Sequence, residues 1–459
     1  MAVSWSPMVA APLLLAVAAL FHVRAPEPYM DEPFHVPQTQ HYCKGDFSNW
    51  DVKITTFPGL YFVGAAWAKL LNYAHMLYLP AQVQDCSTTT LRTTNILLGL
   101  VCLRLLHALY KALHPEGSHQ TCTQTAWLIF LFPLHFFFHF LYYTDVGSVT
   151  FVVAAYLACM KHRYRTSALL ACWAVLFRQT NAVWVCFIIG MSVLGRTLKP
   201  AEGKPISATM LQQCLQALTA SWKARWQLLA DLWPMLLVPA CFAAFVVWNG
   251  GIVLGDKAAH TPVQHLMQPL YFVLFTVAAL GPFHFSPFRI SQAAKQLSAS
   301  MKERPLPTLL KLGCGAAAAY LLVDNYTLVH PYLLADNRHY TFYIWKNFFG
   351  RYVAARFWLI PLYLYSAWSL WDSITRQQSK ACALLLALCT AVSLIPAWLI
   401  EFRYFTIPFV MMVLHMQPLS PGQHRLILLV YGSVNVASIY VFLHRSFRWP
   451  DQSIARFMW

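Results

Sequence analysis

The chain has 459 residues, of which 58% are hydrophobic and 11% charged, and its mean hydropathy is +0.48. This composition excludes an ordinary soluble protein and indicates a membrane protein. The formal net charge is +16, but Lys and Arg are spread between apolar segments, so no nucleic acid partner is expected.

Apolar stretches long enough to cross a bilayer core of about 30 Å recur along the chain. They predict an all-α polytopic membrane protein, a single domain over 1–459 with about twelve or thirteen transmembrane helices. The first stretch, Met8 to Val23, lacks a basic n-region and an evident cleavage site, which indicates a retained span. The other spans are predicted at about 91–113, 124–143, 147–160, 167–177, 182–195, 231–248, 264–288, 308–323, 354–371, 381–400, 404–416 and 426–443.

The loops between these spans fall into a basic set and an acidic set. The basic set, which includes the loop 196–228, is predicted to be cytosolic by the positive-inside rule. The acidic set is predicted to be lumenal and includes the first loop, 24–86, and the loop 324–353. Asn325 opens an N-glycosylation sequon on that side, and Cys43 with Cys86 can form a disulfide in an oxidising lumen.

The first lumenal loop is too long to be a simple connector. It contains two helical patterns, one from Pro33 and one from Pro58 to Tyr73, separated by the turn-rich KGDFSNWD. Helices of this kind can lie on the membrane surface and cover a cavity. A further interfacial piece, HYTFYIWKNFFGRY, is predicted before the span at 354–371.

Ionisable residues at membrane depth are costly and need partners or a wet cavity. Several fall on the predicted lumenal side, which favours a polar site there: Asp145, Arg178, Asp336 with Arg338, and Glu401 with Arg403. No GxGxxG, P-loop, HExxH, GxSxG or metal-spaced CxxC motif is present. A secondary transporter, a lipid flippase or a noncatalytic subunit stays compatible with these features.

The adjacent carboxylates Asp31 and Glu32 permit a more specific hypothesis. A carboxylate beside an acceptor hydroxyl can take its proton, and one base suffices when the leaving group is already a stable phosphate anion. Glycosyl transfer from a lipid-phosphate sugar has that property. Cations on the same side are available to bind the phosphate: Lys257, His260, Arg338, His339, Lys346 and Arg403.

Five motifs add a family resemblance that covers nearly the whole chain. YMDEPFHVPQTQHYC, NWDVKITTFPGLY, LYYTDVGS, LFRQTN and LADNRHYTFYIWK together resemble the dolichyl-phosphate-glucose-dependent α-1,2-glucosyltransferases of the endoplasmic reticulum. The resemblance implies a multi-pass membrane enzyme of the GT-C type with its active site facing the lumen. It implies inverting addition of the last glucose to the diglucosylated dolichyl-diphosphate oligosaccharide, with dolichyl phosphate glucose as donor and no metal or other cofactor.

The same resemblance places the catalytic carboxylate in the first lumenal loop. Asp31 is the expected base, and Glu32 is its neighbour or the base itself. Asp51 is assigned to acceptor positioning, with Lys53 beside it. Further substrate-binding candidates are Lys257, His260, Asp336, Arg338, His339, Tyr340, Glu401, Arg403 and Tyr404, and Asp145, Arg178 and Asn181 are expected to shape the cavity wall.

Overall fold

A computed structural model describes residues 7–78, 86–198, 209–257 and 261–459. These residues are mainly helical, with two short strands. Packing divides the chain into two compact units. The first comprises Met1–Ser207, Leu211–His260 and Asn435–Ser446, and the second comprises Ala208–Met210, Thr261–Val434 and Phe447–Trp459.

Eleven described helices begin before residue 250. They are α1 (Pro7–Arg24), α2 (Glu32–Cys43), α3 (Gly59–Tyr78), α4 (Thr88–Leu113), α5 (His119–Phe130), α6 (Pro133–Phe137), α7 (Thr144–Met160), α8 (Tyr164–Phe177), α9 (Asn181–Thr197), α10 (Met210–Lys223) and α11 (Arg225–Asn249). A single 3₁₀ turn, Phe138–Phe140, follows α6.

Helix α7 lies at the centre of the first unit. It packs against α4, α8 and α9, and almost all of its side chains are buried. Small residues on α7 allow this close packing: a Cβ at Gly147 would lie 2.1 Å from the Phe177 ring of α8. The unit therefore surrounds a helix whose side chains are almost all buried. Its N-terminus follows the segment Leu141–Tyr143, which is also part of the candidate site.

The helices that follow residue 260 are α12 (Gln268–Ala279), α13 (Gly281–His284), α14 (Pro287–Glu303), α15 (Pro305–Tyr326), α16 (Pro331–Ala335), α17 (Tyr340–Ile344), α18 (Ala355–Trp358), α19 (Ile360–Thr375), α20 (Lys380–Leu394), α21 (Thr406–His415) and α22 (Pro421–His444). A π-helical turn covers Trp345–Phe349 and a 3₁₀ turn covers Phe402–Phe405. Strands β1 (Phe447–Arg448) and β2 (Ile454–Ala455) pair antiparallel, with Phe447 opposite Ala455.

In the second unit, α12 packs against α19 and α20, and α15 packs against α19. Met267, Val323 and Tyr363 form a buried apolar cluster there. Arg289 of α14 is also buried, and its charge is balanced by Asp372 of α19 at 2.5 Å.

Four described helices are long and apolar enough to cross a membrane: α4, α11, α15 and α22. Helix α5 and the segment Pro133–Phe140 pass the same test as a pair bent by 63°, which would be a fifth crossing. Shorter apolar helices stand at most of the other predicted spans. Length and composition thus support four or five crossings among the described residues, fewer than the twelve or thirteen predicted.

The difference arises because Pro and polar residues end several helices early. The span predicted at 124–143 breaks before Pro133, and the one predicted at 264–288 is divided among α12, α13 and the start of α14. The two helical patterns of the first loop are confirmed as α2 and α3. In the loop 196–228, α10 is the expected helical piece, whereas residues 199–208 lie outside the described part of the chain.

Candidate active site

Asp31 and Glu32 lie where the first loop turns into α2. Asp31 is the N-cap residue, Glu32 opens the helix and Pro33 follows, a favourable place for proline because first-turn N–H groups have no intrahelical acceptor. Met30 has a φ of 62°, in the left-handed region that residues with a side chain rarely adopt. The backbone is therefore strained directly before the acidic pair, as is frequent at functional sites.

Glu32 is completely buried, at 0% exposure. Arg92 of α4 donates to both of its oxygens, from Nε to Oε1 at 2.8 Å and from Nη2 to Oε2 at 2.6 Å. Two backbone N–H groups also donate to the carboxylate, Tyr142 to Oε1 at 2.6 Å and Tyr29 to Oε2 at 2.9 Å. The Glu32 side chain thus ties α2 to α4 and to the segment before α7.

Asp31 has a different environment, because it is only half-buried. Its N–H donates to the Tyr143 hydroxyl at 3.0 Å, and its charge acts on the phenol of Tyr61. The Tyr61 hydroxyl shares a hydrogen bond of 2.8 Å with His35 Nδ1, and the Trp50 ring lies 5.7 Å from the Tyr61 ring. Asp31 therefore adjoins a packed aromatic cluster in which the Tyr61 and Tyr143 rings are buried.

The two neighbouring carboxylates are consequently not equivalent. The oxygens of Glu32 are already taken by four donors, in a place that solvent does not reach. A general base must come within hydrogen-bond distance of the hydroxyl that it deprotonates. The half-buried Asp31 meets that condition better than Glu32 does.

The loop between α2 and α3 is fastened to α2 by Gln38. Its Nε2 donates to the Asn49 carbonyl at 2.7 Å, and its Oε1 accepts from the Asp51 N–H at 3.0 Å. Asp51 Oδ1 accepts from the Lys53 N–H at 2.9 Å, and the exposed Lys53 ammonium lies 5.4 Å from the Phe34 ring centroid. The structure thus brings Asp51 and Lys53 onto a loop bound to the helix that carries the acidic pair.

Lys257 lies in a second loop that packs against the first. A Cβ at Gly255 would lie 2.3 Å from the Val52 carbonyl oxygen and 2.4 Å from that of Ile54, so this approach requires glycine. Lys257 is exposed, and its Nζ donates to the Asn249 carbonyl at 2.5 Å. Lys257 therefore lies near the Asp51 loop. Its charge is exposed, two residues after the close contact at Gly255.

The three predicted cavity residues meet around the N-terminus of α7. Arg178 Nη1 donates to Asp145 Oδ1 at 2.9 Å, and Asp145 is 3% exposed in the first turn, where a negative charge opposes the helix dipole favourably. Asn181 Nδ2 donates at 2.7 Å to Ser148 Oγ and to the Ala174 carbonyl. Asp145 and Arg178 form a direct ion pair, and Asn181 joins α9 to α7.

A disulfide joins Cys43, the last residue of α2, to Cys86, just before α4. Their Cα atoms are 6.6 Å apart across a sequence separation of 43 residues. The bond closes the loop that contains α3 and holds the far end of α2.

We expect Cys43→Ser to destabilise the protein by about 2–4 kcal/mol, because the open loop has more conformational entropy in the unfolded chain. Cys86→Ser and the double variant should lower the free energy of unfolding by the same amount, which is measured as a lower midpoint of thermal denaturation in detergent. Cys172→Ser, which removes an exposed free thiol, is the control. Two more free thiols in the oxidised wild type than in the double variant would contradict this pairing.

A second group of predicted residues lies in the loop before α17. Arg338 Nε and Nη2 donate to the two oxygens of Asp336 at 2.8 and 2.7 Å, and His339 Nε2 lies 3.9 Å from Asp336 Oδ2. Burial alone would raise the pKa of Asp336, but the hydrogen bonds from Arg338 and the charges of Arg338 and His339 outweigh it and lower that pKa. Asp336 is therefore an ionised partner that fixes Arg338.

Tyr340 opens α17, and burial raises its pKa to about 12. The phenol is therefore protonated at neutral pH and can donate a hydrogen bond. In the 3₁₀ turn before α21, Arg403 forms an ion pair with Glu401, and its guanidinium lies 5.9 Å from the Tyr404 ring centroid. Arg338 and Arg403 thus share one arrangement, a cation paired with a carboxylate two positions earlier.

Three other predicted residues are placed separately. Asn325 is exposed in the last turn of α15, and its Nδ2 donates to the Leu321 carbonyl at 2.9 Å. Lys346 is exposed, with its Nζ 5.6 Å from the Phe342 ring centroid. His260 lies outside the described residues.

Sequence reasoning missed several residues that the structure places at these sites. Arg92 was the most accessible to prediction, since an arginine inside an apolar span needs a buried partner. Gln38 could not be predicted from the sequence, because the one hydrogen bond that its side chain donates and the one that it accepts are both with backbone groups.

The described residues contain no group of three or more His, Cys, Asp or Glu side chains that could hold a metal ion. The predicted residues instead form two clusters. Asp31, Glu32, Asp51, Lys53, Lys257, Asp145, Arg178 and Asn181 belong to the first unit, and Asp336, Arg338, His339, Tyr340, Glu401, Arg403 and Tyr404 belong to the second.

Relatives of the chain match nearly its whole length. A protein of Arabidopsis thaliana is 35% identical over 95% of both chains, and one of Homo sapiens is 37% identical over 94% of this chain and 93% of its own. One of Drosophila melanogaster is 32% identical over 94% and 93%. Each is named a Dol-P-Glc:Glc(2)Man(9)GlcNAc(2)-PP-Dol alpha-1,2-glucosyltransferase.

Among solved structures, the oligosaccharyltransferase of Archaeoglobus fulgidus aligns with a TM-score of 0.38 and 12% identity, over 96% of this chain and 55% of that one. The model of the DIE2/ALG10 family matches residues 25–414, a range that begins just before the acidic pair and includes both clusters. The extent of that match and the full-length relatives together show that this chain belongs to the DIE2/ALG10 family.

Proposed function

We propose that the chain transfers glucose from dolichyl phosphate glucose to a diglucosylated, dolichyl-diphosphate-linked oligosaccharide in α-1,2 linkage. The observation that carries the proposal is the half-buried Asp31 at the start of α2, held beside a Glu32 that four hydrogen bonds immobilise. The names of the full-length relatives supply the donor and the acceptor. No metal or other cofactor is part of the proposal.

In the proposed reaction Asp31 accepts the proton of the acceptor glucose 2-hydroxyl as its oxygen bonds to the anomeric carbon of the donor. The bond between that carbon and the phosphate oxygen breaks, and its electron pair leaves with dolichyl phosphate. Attack on the face opposite the phosphate converts a β-linked donor glucose into an α-linked product. The leaving phosphate needs no protonating acid, so a single base suffices.

Glu32 takes a structural part in this scheme. Its bonds to Arg92 and to the Tyr142 backbone fix the first turn of α2, and the position of Asp31 follows from that turn. A base held in one orientation loses little entropy when the acceptor hydroxyl arrives. Asp51 and Lys53, on the loop bound to α2, are proposed to position the acceptor.

Arg338, His339, Tyr340 and Arg403 are proposed to bind the donor phosphate and glucose. We expect Arg338→Gln and Arg403→Gln each to raise the KM for dolichyl phosphate glucose by about tenfold, the loss of one charge-assisted hydrogen bond. Steady-state kinetics with varied donor measure this effect. Arg376→Gln, which breaks an exposed arginine–aspartate pair with Asp372, is the matched control. An unchanged donor KM in both variants would assign the two arginines to structural ion pairs.

The proposed location is the endoplasmic reticulum membrane, with Asp31 facing the lumen. The Cys43–Cys86 disulfide supports an oxidising compartment for the first loop, because such bonds persist there and not in the cytosol. The apolar helices support the membrane. Glycosylation of Asn325 in microsomes, tested with Asn325→Gln, reports the side of the loop after α15.

The experiment that tests the function uses purified full-length protein in detergent with dolichyl phosphate glucose and the diglucosylated lipid acceptor. We expect a triglucosylated product whose new linkage is cleaved by an α-1,2-specific glucosidase. A transporter or lipid flippase, the alternative that composition leaves open, would return the acceptor unchanged. Absence of product from monodisperse protein would overturn the proposal.

A further inference from the structure

We propose that residues 447–459, here called the 447–459 hairpin, position Arg338 and His339 for the donor phosphate; this rests on the proposed function. The segment begins with β1, reverses at Gln452, whose φ is 66°, and returns through β2. Trp449 closes the turn, since its N–H donates to the Ser453 carbonyl at 3.0 Å. No sequence motif singled out this segment.

Trp449 contacts the DNRHY motif with both parts of its side chain. Its ring lies 4.6 Å below the Arg338 guanidinium carbon, and its Nε1–H donates to Asn337 Oδ1 at 3.1 Å. Asp336 holds the edge of the same guanidinium with two hydrogen bonds. The arginine is therefore fixed at its edge by a carboxylate and at its face by an indole, which favours one orientation of its charge.

The end of the hairpin binds the motif through backbone groups. The Met458 N–H donates to the Arg338 carbonyl at 3.0 Å, and the Tyr340 N–H donates to the Met458 carbonyl at 3.2 Å. His339 Nδ1 shares a hydrogen bond of 3.0 Å with the Trp459 carbonyl oxygen. That bond uses one ring nitrogen of His339 and leaves Nε2 on the side of Asp336.

Trp459 also joins the two proposed donor-binding motifs. Its ring packs edge-on against Tyr340 at 4.9 Å and against Phe402, which precedes Arg403, at 6.3 Å. These motifs are separated by about sixty residues of sequence, and the hairpin contacts both. The hairpin therefore holds the backbone of the DNRHY motif through hydrogen bonds and packs against Phe402, beside Arg403.

These contacts predict an effect on donor binding and not on the chemical step. Trp449 acts through Arg338, so its loss frees the guanidinium to adopt other rotamers without removing its charge. Binding that is weaker in the ground state and the transition state alike raises KM and leaves kcat nearly unchanged. Acceptor KM should not change, because the contacts described for Trp449 are to the DNRHY motif and within the hairpin.

The test uses full-length Trp449→Leu, with Trp449→Phe as the conservative variant and Trp233→Leu, an exposed tryptophan of α11, as the control. We expect Trp449→Leu to raise the donor KM about fivefold to tenfold, the range of one partly desolvated cation–π contact. The Phe variant should recover most of the loss. The double variant Trp449→Leu/Arg338→Gln should have the donor KM of Arg338→Gln alone.

The outcomes separate this inference from the function on which it rests. A wild type that forms no triglucosylated product overturns both. An active wild type with an unchanged donor KM in Trp449→Leu overturns only the positioning role. The inference is also overturned if the effects of Trp449→Leu and Arg338→Gln on the donor KM multiply in the double variant. It is overturned likewise if Trp449→Leu lowers only kcat or only the thermal midpoint. A non-additive rise in donor KM with recovery by Phe supports it.

Discussion

Asp31→Asn is expected to reduce glucosyl transfer by about a thousandfold, within the range that a positioned general base contributes. Asparagine has nearly the same shape and keeps the Asp31 N–H bond to Tyr143, but its amide does not accept the proton of the acceptor hydroxyl. Expression and thermal midpoint should stay close to those of the wild type, since the replaced group is half-buried. Product formation over time, normalised to monodisperse protein, measures the loss.

Glu27→Gln is the matched control, because it neutralises an exposed carboxylate a few residues earlier on the same loop. It should retain wild-type activity. Glu32→Gln completes the comparison: if Glu32 is the anchor, the folded fraction of this variant keeps measurable activity. Wild-type rates in Asp31→Asn would exclude Asp31 as the base, and loss of all activity in stable, well-folded Glu32→Gln would move the role to Glu32.

Arg92→Met is expected to have the largest effect on stability. It leaves the Glu32 carboxylate buried without its cation, and breaking a buried ion pair in this way costs about 3–5 kcal/mol. The variant should give a low yield of monodisperse protein and a strongly lowered midpoint of thermal denaturation. Activity should fall at least as far as the folded fraction, because Asp31 is intact but the turn that positions it has lost the bonds from Arg92.

The double variant Glu32→Gln/Arg92→Met tests the cause of that loss. It removes both charges, so no isolated buried charge remains, and part of the stability should return. Arg376→Met, which removes a partly exposed arginine bound to Asp372, should cost at most about 1 kcal/mol. Equal losses of stability in Arg92→Met and Arg376→Met would show that the buried Arg92–Glu32 pair contributes no more to stability than the exposed pair does.

Apolar stretches in the sequence were sufficient to predict most helices, because burial or lipid contact is the main requirement for each of them. The helix at Pro33 was predicted for a local reason, the fit of proline in a first turn, and α2 begins beside it. The break at Pro133 was not predicted, since a proline can kink a span or be accommodated within it. The 63° bend depends on packing around that proline, which a local pattern does not contain.

The residues of the site were predictable only where the chemistry is local. Asp31 and Glu32 are adjacent and look alike in sequence, and what distinguishes them comes from far along the chain. The two decisive partners of Glu32, Arg92 and Tyr142, lie 60 and 110 residues away. The 447–459 hairpin was missed for a related reason, because strands of two residues have no detectable alternation.

If Arg338 and Arg403 bind the donor phosphate as proposed, their pairing with carboxylates has a consequence for product release. Asp336 and Glu401 already balance the charges of Arg338 and Arg403. Donor and spent carrier lipid both bear a phosphate, so a bare guanidinium would retain the spent lipid and slow the cycle at its last step. A balanced guanidinium attracts that anion less, which favours weak inhibition by dolichyl phosphate and a rate that changes little with ionic strength.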